Sequence, residues 1–363
     1  MVKKLILVDG NNLMFRSYYA TAYNGNMMKN SKGLPTNALF GFVSMLNKII
    51  AEENPEYMAV AFDIGKNFRK EEFDFYKEGR VQTPEELKIQ MPIAREILDA
   101  MNIKHFELAP YEADDIIGTI SKMTETDPDF ASVIVSSDKD LLQLISAETE
   151  VKLLKQAGFI RYNYETFVQD YQIEPIRIID LKALMGDASD NIPGVKGIGE
   201  KTALKLLQEY KTLDNIYANL DNISGKVKEK LELGKDNAYM SQKIATIYRE
   251  VPLNITLEDL KFNLEDDTKL KEKYQELEFF SLLKTSVIPK KEEEISYKII
   301  TSVNDLILND KIALYLEVDD ENYHIANIVG MSITDGTNNY YVPKELVKKA
   351  IEVVKNKDII TYD

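Results

Sequence analysis

The 363-residue chain has no cysteine, no tryptophan and only two histidines, His105 and His324. Without cysteine there is no disulfide framework, no thiolate zinc site and no nucleophilic thiol. Two histidines far apart in sequence disfavour a Ser-His-Asp triad or a histidine-rich metal site. Any catalysis therefore falls to carboxylates. No apolar run reaches the length that crosses a bilayer, and the one at the start of the chain ends at Asp9, too short for a signal-peptide core. The expected location is cytoplasmic. Basic residues are also in deficit: 45 Lys and Arg stand against 60 Asp and Glu, a net charge of −15. Taken alone, that balance argues against nucleic acid, whose binding rests on neutralised phosphates. Local distribution matters more than the total, however, and carboxylates that gather divalent cations reverse their own local sign.

What the chain has is acid at the ends of apolar runs. Residues 5–8 read as a buried parallel strand ending in Asp9, and residues 57–62 as another ending in Asp63. Residues 132–135 lead to Asp138 and Asp140, which open a helix carrying Leu141, Leu142 and Leu144. Ligands of α/β folds gather at that carboxyl edge of the sheet. A helix is expected from Thr36, as N-cap, with Ala38, Phe42, Met45, Leu46, Ile49 and Ile50 on its apolar face. Another is expected over 110–123, with Ile116, Ile117 and Ile120 facing the core. Its first turn holds Glu112, Asp114 and Asp115, more acid than a helix dipole needs.

Residues 185–203 hold two further features. Asp187 and Asp190 lie in a short polar loop, a pattern that alone is usually solvated surface. Gly194-Val195-Lys196-Gly197-Ile198-Gly199 follows, and then a helical pattern from Glu200, flanked by Lys196 and Lys201. Glycines bring backbone N–H groups close to a ligand, and a helix N-terminus favours an anion there. With Asp187 and Asp190 the acids number nine. If the strands form one parallel sheet, most of them meet at its edge. So many hard oxygen ligands suit Mg²⁺ or Mn²⁺, and two such ions about 4 Å apart can serve hydrolysis of a phosphate ester.

Residues 65–91 interleave Lys66, Arg69, Lys70, Lys77, Arg80 and Lys88 with Phe68, Phe73, Phe75 and Tyr76. Such a mixture suits phosphate contact and base stacking; with Glu71, Glu72, Asp74 and Glu78 present, a solvated surface segment fits equally. From residue 173 to about 283 the pattern is mostly helical, with helices expected over 176–185, 201–210, 212–219 and 236–248. Residues 284–296 read as a linker. A smaller α/β unit follows, with strands near 297–300, 313–316, 325–333, 340–342 and 359–360 and helices near 303–308 and from Lys344.

Together, Leu7-Val8-Asp9-Gly10-Asn11, Ala61-Phe62-Asp63, residues 111–115, Ser137-Asp138-Lys139-Asp140 and residues 185–203 resemble the flap-endonuclease family of 5′ nucleases, in the form found at the N-terminus of bacterial DNA polymerase I. The resemblance covers roughly residues 1–283. It implies an α/β fold: a mostly parallel, PIN-like 5′-nuclease sheet over 1–172, a helical arch at about 65–92, and a helix–hairpin–helix subdomain over 173–283. It implies that Asp9, Asp63, Glu112, Asp114, Asp115, Asp138, Asp140, Asp187 and Asp190 are metal ligands. Arg16, Lys77 and Arg80 then act at the scissile phosphate and Tyr76 contacts DNA. Gly194, Val195, Lys196, Gly197, Ile198, Gly199, Lys201 and Thr202 grip duplex DNA through backbone amides, in the family often with K⁺.

The implied activity is structure-specific 5′-3′ exonuclease or flap endonuclease cleavage by two Mg²⁺ or Mn²⁺ ions, carried out by a monomer. Its substrates would be 5′ flaps, nicks, 5′ ends and RNA primer–DNA hybrids, in replication and repair. Residues 297–363 resemble the start of an RNase H-like 3′–5′ exonuclease domain, so the chain reads as the N-terminal part of a longer polymerase. That unit is expected to be inactive: Glu317-Val318-Asp319 exchanges the two acids of the first exonuclease motif, and the second motif falls on Asp363. A PIN-like ribonuclease would lack the glycine hairpin and the helical half. A purely DNA-binding module would tolerate loss of an acid, and none is missing.

Overall fold

The computed structural model describes residues 2–22, 27–65, 67–156, 158–263, 266–284, 296–319 and 326–361. Lys66, His324, Asp363 and most of the expected linker (285–295) lie outside the described residues. The chain divides into two compact units, Met1–Pro289 and Lys290–Asp363.

The first unit is built on a six-stranded sheet. Its strands are β1 (Lys3–Asp9), β2 (Tyr57–Ala61), β3 (Lys104–Phe106), β4 (Phe130–Ser136), β5 (Thr149–Lys155) and β6 (Gly158–Tyr162). The spatial order is β3-β2-β1-β4-β5-β6, and every pair is parallel except β5–β6. The chain runs outward from β1 through β2 to β3, then crosses back to β4, which makes the β1/β4 junction the switch point where α/β sheets bind ligands. Both faces of β1 are covered, so it reads as an unbroken apolar run. Leu5 and Leu7 point into one core, with α5 (Ala113–Glu125) and the helices that follow the sheet. Ile6 and Val8 point into the other, with α1 (Gly10–Ala22), α2 (Asn37–Glu53) and α4 (Glu85–Ala100).

Between β2 and α4 lies the short α3 (Phe68–Glu72). The expected arch therefore ends early: from Glu85 the chain is a core helix, with Leu87, Gln90, Ala94, Ile97 and Leu98 buried. After β6 come α6 (Tyr164–Tyr171), α7 (Ile178–Met185), α8 (Glu200–Tyr210), α9 (Leu213–Ala218), α10 (Gly225–Leu233), α11 (Lys235–Ala245) and α12 (Thr268–Glu276). Residues of α7 to α11 share a core with Leu5 and Ile116, so this helical region is continuous with one face of the sheet.

Several local expectations differ. Asp140 opens a 3₁₀ turn (Asp140–Leu144), not an α-helix. Thr36 precedes α2 without a side-chain capping bond. The 176–185 pattern begins as a 3₁₀ turn, Pro175–Arg177, because proline at its start presets the backbone. The 236–248 pattern stops at Ala245, since the carbonyl of Thr246 and the amide of Tyr248 bond to Arg69 and Asp115.

The second unit is a mixed five-stranded sheet. Its elements are β7 (Lys298–Ile299), β8 (Lys311–Val318), β9 (Ile328–Thr334), β10 (Asn339–Pro343), α13 (Lys344–Val354) and β11 (Asp358–Thr361), with strand order β11-β8-β9-β10-β7. Val347, Ala350 and Val354 of α13 pack with Ile312, Met331 and Ile333. The helix expected near 303–308 is only a 3₁₀ turn, Val303–Asp305.

Candidate active site at the carboxyl edge of the sheet

Asp9 is the last residue of β1 and is 6% exposed. Its Oδ1 accepts the Asn12 amide at 2.9 Å and its Oδ2 the Ser136 hydroxyl at 3.0 Å, which ties the ends of β1 and β4 together. Asp63 lies two residues beyond β2; its Oδ1 accepts the Ala113 amide at 2.7 Å and its Oδ2 the Asn11 side chain at 3.2 Å. That first bond draws the N-terminus of α5 to the strand ends and brings Glu112, Asp114 and Asp115 with it. Asp138 follows β4, where its Oδ1 accepts the Asp140 amide at 2.9 Å.

Charges gathered in this way oppose one another. Burial, then the charges of Asp63 and Asp138, push Asp9 up to about 7. Burial, then Asp138 and Asp9, hold Asp114 well above the usual carboxylate range. Burial with Asp138 raises Asp140 to about 6 against the pull of Lys182, and burial raises Asp63. Among the described residues, Asp9, Asp63, Asp114 and Asp138 form no ion pair.

The other five acids hold cations. Lys77 pairs with Glu112 and stands 4.0 Å from Asp190 Oδ2, and Arg80 pairs with Asp190. Lys77 adopts a left-handed backbone (φ 55°), seldom used by residues with a side chain, and its amide donates to the Asp190 carbonyl at 2.9 Å. Asn191 Nδ2 donates to the Phe75 carbonyl at 2.8 Å, and the Tyr76 hydroxyl donates to Glu112 Oε2 at 3.1 Å. The segment after α3 is thus docked on the Asp187–Asp190 loop. Burial opposes the Lys77 charge, but Glu112, Tyr76 and Asp190 outweigh it and the ammonium is held firmly protonated.

Lys182 bonds Asp187 and lies 2.6 Å from Asp140 Oδ1. It was not singled out in the sequence, although a lone lysine in the apolar pattern of α7 was a usable signal. Arg69 pairs with Glu112 and Asp115. Glu112, Asp114, Asp140 and Asp190, with Arg69 and Tyr76, line a cavity of ≈ 20 Å³, large enough for about one water.

No three acidic or histidine side chains among the described residues converge as a metal-binding group. The donor set still suits divalent cations: it is all carboxylate oxygen, and four of its members are crowded without a counter-charge.

Two sets of expected residues are placed differently from their reading in the sequence. Arg16 bonds the Lys155 carbonyl at the end of β5 and pairs with none of the acids. In the glycine hairpin between α7 and α8, Gly194, Val195 and Ile198 are buried, whereas Lys196, Gly197, Gly199 and Lys201 are exposed and Thr202 is half-buried. Gly194 packs backbone to backbone on Gly186: a Cβ there would lie 2.2 Å from the Gly186 nitrogen. Its own amide donates to Ser241 Oγ at 3.0 Å and the Val195 amide to the Leu184 carbonyl at 2.8 Å, so neither faces outward. The outward-facing part of the hairpin is therefore Lys196–Gly197 and the start of α8.

A parallel sheet carrying acids at its carboxyl edge, followed by a helix–hairpin–helix region, defines an α/β nuclease architecture. Residues 4–172 match the family described as 5′-3′ exonuclease, N-terminal resolvase-like domain, and residues 173–268 match 5′-3′ exonuclease, C-terminal SAM fold. The chain belongs to the 5′-3′ exonuclease/flap endonuclease family. It is 43% identical to DNA polymerase I of Bacillus caldotenax over 95% of its own length and 40% of that protein, and 41% identical to DNA polymerase I of Bacillus subtilis over 97% and 41%. The chain thus spans about 40% of the length of these relatives.

Among solved structures it shares its fold with the bacteriophage T5 flap endonuclease in a pseudo-enzyme–product complex with DNA and metal ions. The TM-score is 0.55 and the identity 21%, covering 78% of this chain and all of that one. It likewise resembles the catalytic core of Rad2 in complex with DNA substrate (TM-score 0.56, 17% identity, 79% and 93% coverage).

Proposed function

We propose that the first unit hydrolyses DNA phosphodiesters near a 5′ end, at flaps, nicks and RNA primer–DNA junctions, as the 5′-nuclease portion of a DNA polymerase I that works in replication and repair. Residues 1–172 supply most of the acid edge, and residues 173–283 supply Asp187, Asp190 and the duplex-binding region. Asp9, Asp63, Glu112, Asp114, Asp138, Asp140, Asp187 and Asp190 would hold Mg²⁺ or Mn²⁺. Such ions, when bound, supply Lewis-acid activation of water and neutralise charge at the leaving 3′ oxygen. The observation that carries this reading is the crowding of Asp9, Asp63, Asp114 and Asp138 without a cation, which is unfavourable unless divalent ions join them.

The protein's own cations prepare the site. Lys77 and Arg80 neutralise Glu112 and Asp190 in the free protein. A DNA phosphate arriving at the edge competes for both side chains, and their exchange onto it releases the two carboxylates for the metals. Glu112, Tyr76 and Asp190 hold Lys77 protonated in the free protein, so it meets the phosphate as a positive charge. Lys196, Gly197 and Lys201 contact the duplex backbone, which is sequence-blind. At this hairpin the Lys230 ammonium already donates to the Gly197 carbonyl at 2.8 Å, so a K⁺ at that oxygen is not part of the proposal.

No proofreading role is assigned to the second unit. There Asp319 is held by Asn327, whose amide and side chain donate at 2.7 and 3.0 Å. The test of function is a 5′-labelled flap duplex incubated with the protein in Mg²⁺ or in EDTA. Release of short labelled 5′ products only in Mg²⁺ is the expected result; binding without cleavage in either buffer would leave a DNA-binding fragment.

A further inference from the structure

The nine acids are not equivalent, and Asp115 stands apart. It is fully buried (0% exposed), and each of its oxygens accepts two hydrogen bonds. Oδ1 takes Arg69 Nη2 at 2.7 Å and the Tyr248 amide at 2.8 Å. Oδ2 takes Arg69 Nη1 at 2.9 Å and the Glu112 amide at 3.0 Å. A carboxylate offers about four lone-pair positions, and all are used here. Arg69, itself 4% exposed, spends its remaining donors on Glu112 Oε2 at 3.0 Å, the Ile244 carbonyl at 3.0 Å and the Thr246 carbonyl at 2.7 Å. One bidentate pair therefore fastens three segments: the foot of the arch at α3, the N-terminus of α5 that presents Glu112 and Asp114, and the stretch leaving α11 in the helical region.

We infer that Asp115 is not a metal ligand but a positioning residue, and that Arg69–Asp115 is the joint through which the arch and the helical region set the position of Glu112 at the metal edge. This rests on the metal-centre reading above. Asp114, one residue away, is the contrast: no ion pair or hydrogen-bond donor holds its carboxylate among the described residues, and it faces the cavity. Loss of an orienting partner leaves every donor to the ion in place, whereas loss of a ligand removes one, so with Asp115 in the positioning role the cost of breaking this joint falls on the rate.

The test is a double-mutant cycle on the whole chain, with Mn²⁺ binding read by electron paramagnetic resonance beside flap cleavage. Asp114→Asn is expected to weaken Mn²⁺ binding at least about tenfold. Arg69→Met strands the buried Asp115 carboxylate, and Asp115→Asn leaves Arg69 only Glu112 as an ion-pair partner, so each should lower the melting temperature. Arg69→Met/Asp115→Asn removes both of these charges and leaves Glu112 paired with Lys77, so it folds even if a single variant does not. The double variant is expected to bind Mn²⁺ within about threefold of wild type, while kcat at saturating Mn²⁺ falls about tenfold with KM for the flap duplex unchanged.

Mn²⁺ binding by the double variant as weak as that of Asp114→Asn would overturn the inference, since Asp115 would then be a ligand. An undiminished kcat would overturn it too, because the pair would hold only the fold. Unaltered Mn²⁺ binding in Asp114→Asn would instead overturn the metal-centre reading on which the inference stands.

Discussion

Asp9 shows what a crowded carboxylate does to the protein that carries it. Its ordinary value is near 3.9, and burial with the neighbouring acids pushes it up to about 7. Between about pH 4 and 7 the folded chain holds a proton there that the unfolded chain has released, so stability falls as pH rises through this window. Asp140, raised to about 6, acts in the same direction. In EDTA the melting temperature should therefore drop between pH 5 and 8, the loss of stability being on the order of a few kcal/mol. Mg²⁺ should restore it above pH 7, and Asp9→Asn should flatten the dependence. A melting temperature in EDTA that climbs from pH 5 to 8 would contradict this account of the edge. At the same scale, the acids were legible in the sequence because each sits where an apolar run ends. Their cations were not: Lys182 and Arg69 are matched to acids by the fold, and Arg69 meets Asp115 across 46 residues. Arg16 carries a suitable charge, but α1 turns it onto the Lys155 carbonyl.

Among the elements, the hairpin between α7 and α8 separates two uses of glycine. Gly194 has φ +58°, and a Cβ on it would meet the Gly186 backbone at 2.2 Å, where nothing can yield. Gly199 precedes α8 with an extended backbone and open space around it. Gly194→Ala should cost about 3 kcal/mol and displace the Asp187–Asp190 loop. Gly199→Ala should stay within about 1 kcal/mol, the usual cost of alanine at an N-cap. Thermal melts of the two variants decide this, and equal losses would mean that Gly194 and Gly186 do not lock together.

The largely buried strands β1, β2 and β4 were plain in the sequence because each carries an unbroken apolar run. The β5–β6 hairpin was not. β5 carries Lys152, a charged residue only 2% exposed whose ammonium binds Glu52 and Glu53 of α2 at 2.7 and 2.8 Å. β6 is an edge strand exposed along most of its length. A buried ion pair and a solvated edge both erase the apolar signal on which strand reading depends.

At the scale of the whole molecule, a net charge of −15 coexists with a site proposed to act on a polyanion. The two are compatible because the acids are gathered where cations belong, and because Lys77, Arg80 and Lys182 already sit among them. No helix among the described residues is long and apolar enough to cross a membrane. The central claim is that the unpaired carboxylates of the edge hold the metals that cleave DNA. Its most direct test is the single-turnover rate of flap cleavage by wild type and by Asp114→Asn, at saturating Mg²⁺ and with enough protein to bind all the duplex. The account predicts a loss of about a hundredfold or more in Asp114→Asn, with DNA affinity retained. Cleavage by that variant at the wild-type rate would contradict it.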